Sequence, residues 1–487
     1  MLFHSPEFLF GFLPVALAGF FLFARMGARA ALAWLALASS FFYGWWNPVY
    51  LPLLLGSLCA NFCLGRRIAA AESPTHAGRW LAAGVTLNLL LLGIFKYLGF
   101  FIRTANDWTG ARFPVPEIVL PLGISFYTFT QIAYLVDTRN GRGTRTGPLG
   151  YGLFIIFFPH CIAGPIVHHH QLIPQFDRRE MFRFCAGAFS VGLTLFVIGL
   201  AKKVILADTI ARFARPVFAD AAAGGIPGFF EAWTGALSYT LQLYFDFSGY
   251  SDMALGLARM FNVKFPVNFN APYKATSIIE FWRRWHMTLS AFLRNYLYIP
   301  LGGSRCGSVR HYSNLFLTML LGGLWHGAGW TFVVWGAWHG ACLCANNLFR
   351  AMRGAGGDHT ASPAWARLAG GALTFLCVVI GWVFFKAASL HAAMCMLRGM
   401  FSVPTLPDAG LSAMASPFAW IAALLAIVWF APTSQSFLAQ HGPALHDVPG
   451  SRLKWHASAP WALAIALLFT VAILHLSQIS EFIYFQF

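Results

Sequence analysis

The chain has 487 residues, of which 58% are hydrophobic, 17% aromatic and only 10% charged, whereas soluble domains carry roughly 25% charged residues. This composition excludes a soluble globular protein and indicates a protein that crosses a membrane several times. The formal net charge of +16 comes from short basic clusters between apolar runs. That pattern is typical of loops facing an anionic membrane leaflet, so we predict contact with membrane lipids and no nucleic-acid partner.

The N-terminal segment MLFHSPEFLFGFLPVALAGFFLF lacks a basic leading region and a small-residue cleavage site, so it predicts a retained membrane span and not a signal peptide. Basic residues follow the first and third apolar runs, and an uncharged link follows the second, which places the N-terminus outside the cytoplasm. The first four runs, each about long enough to cross a bilayer, lie at 8–24, 30–46, 49–65 and 80–102.

A fifth apolar run, 117–136, returns the chain to the cytoplasm. The next piece, YGLFIIFFPHCIAGPIV, has basic segments on both flanks and contains Pro159, Gly164 and Pro165. A full crossing would place basic residues on both sides of the membrane, and prolines interrupt a helix. We therefore predict a re-entrant or buried segment.

A histidine triplet, His168 to His170, follows this segment. Successive side chains point in different directions, and no carboxylate stands near the triplet in the sequence, so we predict a solvated loop and no metal site. The nine cysteines are scattered and form no CxxC pair, which indicates small apolar residues and no disulfide or zinc framework.

Further spans are predicted at 184–201 and 229–247. If the spans simply alternate in direction, Lys202 and Lys203 fall outside the cytoplasm, which conflicts with the positive-inside rule. Asp246 and Asp252 lie among aromatic residues in YFDFSGYSDMALGLARMF. Two such carboxylates are candidates for acid–base chemistry. Pairing with nearby arginines for structure is the interpretation we favour.

The stretch from Ser277 to Gly340 organises the chain. Ser277 followed by Glu280 is a capping box, which begins a helix at Ser277 that should end before Pro300. An apolar face of that helix carries Trp282, His286, Leu289 and Leu293, and a second face carries Arg283, Met287, Ser290 and Arg294. We predict an amphipathic helix that lies along the interface or lines a polar cavity.

The following apolar stretch, LFLTMLLGGLWHGAGWTFVVWGAWHG, is interrupted around Trp325 and His326. Glycine weakens a helix by roughly 1 kcal/mol relative to alanine, and here the glycines are Gly322, Gly323, Gly327 and Gly329. Irregular backbone at membrane depth requires a protein or water-filled surrounding, and an ionisable residue there is a site hypothesis. The structural alternative is a buried histidine bonded to a backbone carbonyl; the second histidine, His286, favours a site.

Beyond Gly340, apolar spans are predicted at 366–385, 417–431 and 461–477. No soluble catalytic domain, internal repeat, phosphate-binding glycine loop, HExxH or GxSxG motif is present in the sequence. We predict one transmembrane domain over 1–487 with its functional core at about 117–350, ending in an aromatic stretch, FIYFQF, suited to an interface anchor.

Two of these stretches, WRRWHMTLSAFLRNYLYIPLGGSR and LLGGLWHGAGWTFVVWGAWHG, resemble the signatures of membrane-bound O-acyltransferases, in the bacterial branch typified by the alginate O-acetyltransferase membrane subunit. The resemblance extends to PLGISFYTFTQIAYLVD, FFPHCIAGPI and YFDFSGYSDMALGLA. It implies an all-α fold with about 11 membrane-spanning helices plus re-entrant and interfacial helices around a central tunnel, in a bacterial inner membrane.

The resemblance also implies acyl transfer from a cytoplasmic thioester, most simply acetyl-CoA, with no further cofactor, and a separate extracytoplasmic acetyltransferase as partner. His326 matches the catalytic histidine and His286 the second histidine of the family. A neutral imidazole, with a pKa of about 6.5 in the free side chain, suits a general base. Candidate substrate contacts are Asn268 and Trp325, together with Arg283 and Arg284 for the donor's phosphates or, alternatively, for interfacial anchoring.

The expected final acceptor is alginate, with peptidoglycan or another envelope glycan as the alternative. Three other classes of protein compete with this interpretation. A transporter or flippase also uses broken helices, but the sequence has no repeated pair of interrupted spans. A di-iron desaturase-type enzyme would need several histidine boxes, which are absent from the sequence. A structural membrane subunit would tolerate alanine at both histidines.

Overall fold

A computed structural model describes residues 1–143, 146–352, 363–404 and 410–476, and all regular elements within these ranges are helical. The all-α prediction is therefore confirmed. The FIYFQF stretch lies outside the described residues. The helices of the first 200 residues are α1 (Leu13–Ala24), α2 (Ala28–Gly44), α3 (Leu51–Ala69), α4 (Pro74–Leu92), α5 (Leu98–Thr109), α6 (Ile124–Arg139), α7 (Pro148–Ile156), α8 (His169–Phe176) and α9 (Ala186–Ala201).

The helices that follow are α10 (Asp208–Ala222), α11 (Phe229–Met260), α12 (Ile278–Arg284), α13 (Met287–Leu293), α14 (Ser308–His326), α15 (Trp330–Met352), α16 (Ala364–Lys386), α17 (Leu390–Met400), α18 (Gly410–Phe430), α19 (Ser434–Phe437) and α20 (Ala459–Leu474). The described residues divide into two compact units. The first comprises residues 1–200, 250–267 and the described residues after 433; the second comprises 201–249 and 268–433. The single domain predicted over 1–487 stays a prediction.

In the first unit α1 packs on α2, α3 packs on α4, and α6 packs against both α3 and α4. In the second unit α14 packs along α15, and α15 packs on α16. Both candidate histidines, His286 and His326, belong to the second unit. The chemistry is therefore sought in α12 to α16.

Several helical stretches of the described chain are long and apolar enough to cross a bilayer. They are Glu7–Ala24, Pro48–Ala69, Pro74–Thr109, Ala186–Ala222 and Ala364–Lys386, with shorter apolar helices at Met414–Phe430 and Ala459–Leu474. They coincide with predicted runs, so the multi-pass membrane class is confirmed. The total of about 11 spans and the extracytoplasmic N-terminus stay predictions.

The helix predicted at 117–136 begins later than expected. Its first residues are not helical, and α6 begins only at Ile124. Pro121 precedes α6, and Gly123 adopts a left-handed φ of +69°, which residues with a side chain rarely adopt. A methyl group at Gly123 would lie 2.9 Å from the Cys161 carbonyl oxygen, so the chain turns tightly here before the helix begins.

The proline-containing segment 151–167, which was predicted not to form one continuous helix, is interrupted. α7 ends at Ile156, and the residues around Pro159 and Gly164 form turns before α8 begins. This confirms the interruption that the prolines predict, and the side of the membrane to which the segment returns stays a prediction.

The two lysines that conflicted with the span count lie inside a longer helix. α9 continues through a π-helical segment, Lys202–Ala207, into α10, so one helical stretch covers Ala186–Ala222. The Nζ of Lys203 lies 2.8 Å from the nearest carboxylate oxygen of Asp208 and 2.8 Å from that of Asp246. Asp246 is paired with a lysine, whereas the prediction named arginines as the partners.

Candidate functional site

The helix that carries His286 begins where its sequence predicts. Ser277 is the N-cap, and its hydroxyl accepts a hydrogen bond of 3.2 Å from the Glu280 backbone N–H. The Glu280 carboxylate accepts from the Thr276 backbone N–H at 2.8 Å instead of from Ser277. The reciprocal bond of the capping box is thus displaced by one residue, and the helix start is confirmed.

The burial pattern predicted for this segment is confirmed. The apolar face is buried, at Trp282, His286, Leu289 and Leu293. On the other face Arg283 and Arg294 are exposed. Its helices are too short to span a bilayer, since α12 and α13 have seven residues each.

The expectation of one continuous helix is wrong, because the chain breaks at His286. α12 ends at Arg284 and α13 begins at Met287, with His286 at a left-handed φ of +42°. A residue with a side chain in this region costs about 1–3 kcal/mol and persists only where its surroundings hold it. Here the Met287 N–H donates to the Asn268 carbonyl at 2.9 Å, and the Asn270 N–H donates to the Arg284 carbonyl at 2.9 Å.

The side chain of Asn268 holds the imidazole. Its Oδ1 lies 3.0 Å from Nδ1 of His286 and accepts a hydrogen bond of 2.9 Å from the Thr288 hydroxyl. Both Asn268 and His286 are buried, with exposed fractions of 1% and 0%. Burial lowers the pKa of His286 to about 3, so its imidazole is neutral at physiological pH. The substrate contact expected of Asn268 stays a prediction.

His326 is the last residue of α14, and the chain breaks at Gly327–Gly329 before α15 begins. The predicted interruption is therefore confirmed at these residues.

Gly323 remains helical and has a different role. A methyl group at Gly323 would lie 2.3 Å from the Phe332 carbonyl oxygen. It permits α14 to approach α15 closely, which fixes the end of α14 where His326 lies.

The break in α12–α13 and the end of α14 bring the two histidines together. The ring centroids of His286 and His326 are 6.3 Å apart. Trp325 lies beside both, with centroid distances of 6.4 Å to His286 and 4.9 Å to His326. Phe247 lies edge-on to His286 at 4.7 Å, and Phe385 lies 5.3 Å from His326. Two imidazoles in a largely aromatic enclosure offer ring nitrogens that can accept a hydrogen bond or a proton where bulk water is excluded.

Sequence reasoning did not single out a third histidine in the same cluster. His339 is fully buried, and its ring lies 5.0 Å from Trp335, whose ring is 5.0 Å from His326. The repeat of Trp-His-Gly at residues 325–327 and 338–340 was the signal that could have identified it.

The two arginines predicted to contact the donor differ in their surroundings. Arg283 is exposed. Arg284 is half-buried and pairs with Glu280 at 2.6 Å. Roles for Arg283 and Arg284 in binding phosphates stay predictions.

The hydrogen bonds of Asp252 favour a structural role for this residue. Its carboxylate accepts a hydrogen bond of 2.6 Å from the Ser434 hydroxyl and another from the Gln435 side-chain amide. These bonds connect α11 to α19 within the first unit, which supports the structural interpretation of this carboxylate.

The histidine triplet is not the solvated loop predicted. His169 begins α8 and is 1% exposed, with its Nε2 3.4 Å from an Asp137 oxygen. The carboxylate comes from α6, too far along the sequence to be anticipated. Asp137, His169 and His170 offer ligand atoms within 4.8 Å of one another, so this group could hold a metal ion. The expectation of no metal stays a prediction. All nine cysteines are free thiols.

Comparison with known proteins identifies the family. Residues 125–355 match the model of the membrane-bound O-acyltransferase family. The chain is 39% identical to the peptidoglycan O-acetyltransferase of Helicobacter pylori, over 100% of this chain and 98% of that protein. It is 45% identical to the probable alginate O-acetylase AlgI of Pseudomonas aeruginosa, over 83% of this chain and 76% of that protein. The corresponding AlgI protein of Pseudomonas putida is 42% identical over the full length of both. With its paired histidines enclosed by helices of a multi-pass membrane fold, the chain belongs to the membrane-bound O-acyltransferase family and is an acyltransferase.

Proposed function

We propose that the protein is an O-acetyltransferase that takes an acetyl group from a cytoplasmic thioester, most simply acetyl-CoA, and passes it across the inner membrane for O-acetylation of an extracytoplasmic polysaccharide such as alginate. The observation that carries this proposal is the buried pair of His286 and His326, with ring centroids 6.3 Å apart. Similarity to alginate O-acetylases supports the acetyl group and the glycan.

Peptidoglycan or another envelope glycan is the second candidate acceptor. The observation that favours it is the relative from Helicobacter pylori, which matches this chain along nearly its whole length and carries the name peptidoglycan O-acetyltransferase. Both candidates require the same acyl-transfer chemistry, so the histidine pair does not distinguish them.

The reaction needs a base and a group that stabilises negative charge. The acceptor hydroxyl oxygen attacks the thioester carbon, and a C–O bond forms as the C–S bond breaks. His326 takes the hydroxyl proton and returns it to the departing thiolate, which leaves as free thiol. His286 either orients the acceptor or donates to the oxyanion. A thioester is already activated, so no covalent enzyme intermediate is required.

Donor and acceptor reach the histidines from opposite sides of the membrane in this proposal, through a central tunnel narrowed at the pair. Arg283, Arg284, Arg294 and Arg305 are candidates to bind the donor's phosphates. The hydroxyl acetylated at the histidines is delivered from the extracytoplasmic side, and a separate extracytoplasmic acetyltransferase moves the acetyl group onward to the polysaccharide. No cofactor beyond the donor takes part.

The test uses the purified chain in liposomes with radiolabelled acetyl-CoA, which does not cross a bilayer, on one face and candidate acceptors on the other. We expect a covalently acetylated acceptor, formed only when donor and acceptor face opposite surfaces. The matched control is His456→Ala, which removes an exposed histidine and should leave the rate unchanged. Transport of label without a covalent product would contradict the proposal and favour a transporter.

A further inference from the structure

We propose that Asn268 is a positioning residue, which holds His286 as the tautomer protonated on Nδ1 and so turns the lone pair of Nε2 toward a hydroxyl of the acceptor. This inference rests on the proposed function, because it assigns the hydrogen-bonding role of a histidine in that reaction. It separates the two roles that the reaction leaves open for His286.

The first step is the orientation of the Asn268 amide. Its Oδ1 lies 3.4 Å from the backbone nitrogen of Thr288 and 2.9 Å from the hydroxyl of the same residue. A backbone N–H can only donate a hydrogen bond, so the atom facing it is an acceptor. The amide oxygen therefore points into the turn between α12 and α13, and a flipped amide would place an NH₂ group against that N–H.

The second step is the tautomer. The same Oδ1 lies 3.0 Å from Nδ1 of His286. An amide oxygen has no proton to give, so Nδ1 must carry the hydrogen of this bond. Burial keeps the pKa of His286 low, at about 3, so the ring holds one proton and not two. That proton is on Nδ1, and Nε2 carries a lone pair.

The third step is the chemical consequence. A neutral His286 in this tautomer accepts a hydrogen bond through Nε2 and has no N–H left to offer an oxyanion. It therefore orients the acceptor, and the oxyanion is stabilised by other donors. The strained backbone of His286, at φ +42°, is consistent with a residue held in place for its side-chain direction.

The backbone contacts make the arrangement rigid. The Asn268 carbonyl accepts from the Met287 N–H at 2.9 Å, one residue after the histidine. Asn268 thus bonds to the main chain of the turn next to His286 through its carbonyl and to the His286 imidazole through its side chain. The Phe247 ring packs edge-on against the His286 imidazole, with centroids 4.7 Å apart and planes at 88°. This contact limits rotation of the imidazole.

The test compares pH profiles of kcat/KM for acetyl transfer by the full chain in liposomes. Asn268→Asp keeps an acceptor at Nδ1 but adds negative charge, which stabilises the imidazolium and raises its pKa. We expect a plateau rate within a few-fold of native, and an acidic limb moved to higher pH because the neutral ring is lost earlier as pH falls. Asn268→Leu offers no acceptor, so the ring is no longer held in place, and kcat should fall by about 100-fold or less with the acidic limb unmoved.

The matched control is Asn270→Asp, which places the same charge two residues away on an exposed side chain. We expect it to leave the acidic limb unmoved. Equal losses in Asn268→Asp and Asn268→Leu with no change in the pH profile would overturn the proposal, as would a native rate in Asn268→Leu. Absence of acetyl transfer by the native chain would contradict the proposed function instead.

A second measurement does not depend on activity or on the folding of an Asn268 variant. Nitrogen NMR of isotope-labelled histidine in the native chain, compared with His286→Gln, isolates the signals of this ring. We expect a protonated Nδ1 and an unprotonated Nε2 at neutral pH. The opposite assignment would overturn the proposal.

Discussion

Two buried polar clusters lie in the second unit, and they are built differently. Lys203 lies between Asp208 and Asp246, so that each charge has an opposite charge 2.8 Å away. The Asn268–His286 pair is joined by a hydrogen bond between neutral groups, within a shell of aromatic rings. Charges taken from water must be paired, because a buried charge that loses its partner is strongly destabilising. A neutral imidazole can accept a hydrogen bond from a substrate hydroxyl, so the comparison favours a role in stability for the first cluster and the proposed role in orienting the acceptor for the second.

The largest expected effect on stability comes from Asp246→Asn. The substitution preserves shape but removes one of the two negative charges beside Lys203, and hydrogen bonds to charged groups contribute about 1.5–3 kcal/mol. We expect a lower midpoint of thermal unfolding in detergent, with the transfer rate per folded molecule within a few-fold of native. Asp208→Asn, at the more exposed of the two carboxylates, should have a smaller effect. If Asp246→Asn lost transfer activity while its unfolding midpoint stayed unchanged, the ion cluster would take part in the reaction, and the distinction between the two clusters would be wrong.

A slightly smaller effect on stability, joined to a loss of rate, is expected for Gly323→Ala. The added methyl group would lie 2.3 Å from the Phe332 carbonyl oxygen, and overpacking costs about 1–3 kcal/mol. Separation of α14 from α15 would also displace His326, so we expect the rate to fall at least about tenfold. The control is Gly329→Ala, where the methyl group would lie 3.6 Å from its nearest neighbour. Equal behaviour of the two variants would argue against close packing as the reason for Gly323.

The smallest effect is expected for Ser277→Ala. Loss of this N-cap should destabilise the protein by about 1 kcal/mol, seen as a small decrease in the unfolding midpoint. The rate should change little, because the Asn268 contacts still hold His286. Ser389→Ala removes a similar cap from α17, where the Ser389 hydroxyl accepts from the Ala392 N–H at 3.1 Å, and serves as the comparison. A rate loss confined to Ser277→Ala would mean that the helix start also positions the histidine.

Local signals in the sequence predicted much of the fold. The burial of Trp282, His286 and Leu289 was predicted, although the helix that should place them on one face is broken at His286. The cap at Ser277 and the break after His326 were also predicted, since both depend on residues adjacent in sequence.

Long-range contacts account for what was missed. The break at His286 depends on Asn268, eighteen residues earlier, and no local propensity anticipates it. The Lys202–Ala207 segment looked like the end of a span, because the carboxylates of Asp208 and Asp246 that neutralise Lys203 come together only in the fold. The same holds for Asp137 beside His169.

The most direct test of the central claim is the initial rate of acetyl transfer by purified, folded His326→Ala in liposomes, measured beside the native chain and His456→Ala. Loss of a positioned base predicts a rate about 10²- to 10⁴-fold below native, while His456→Ala keeps the native rate. A native rate in folded His326→Ala would contradict the account.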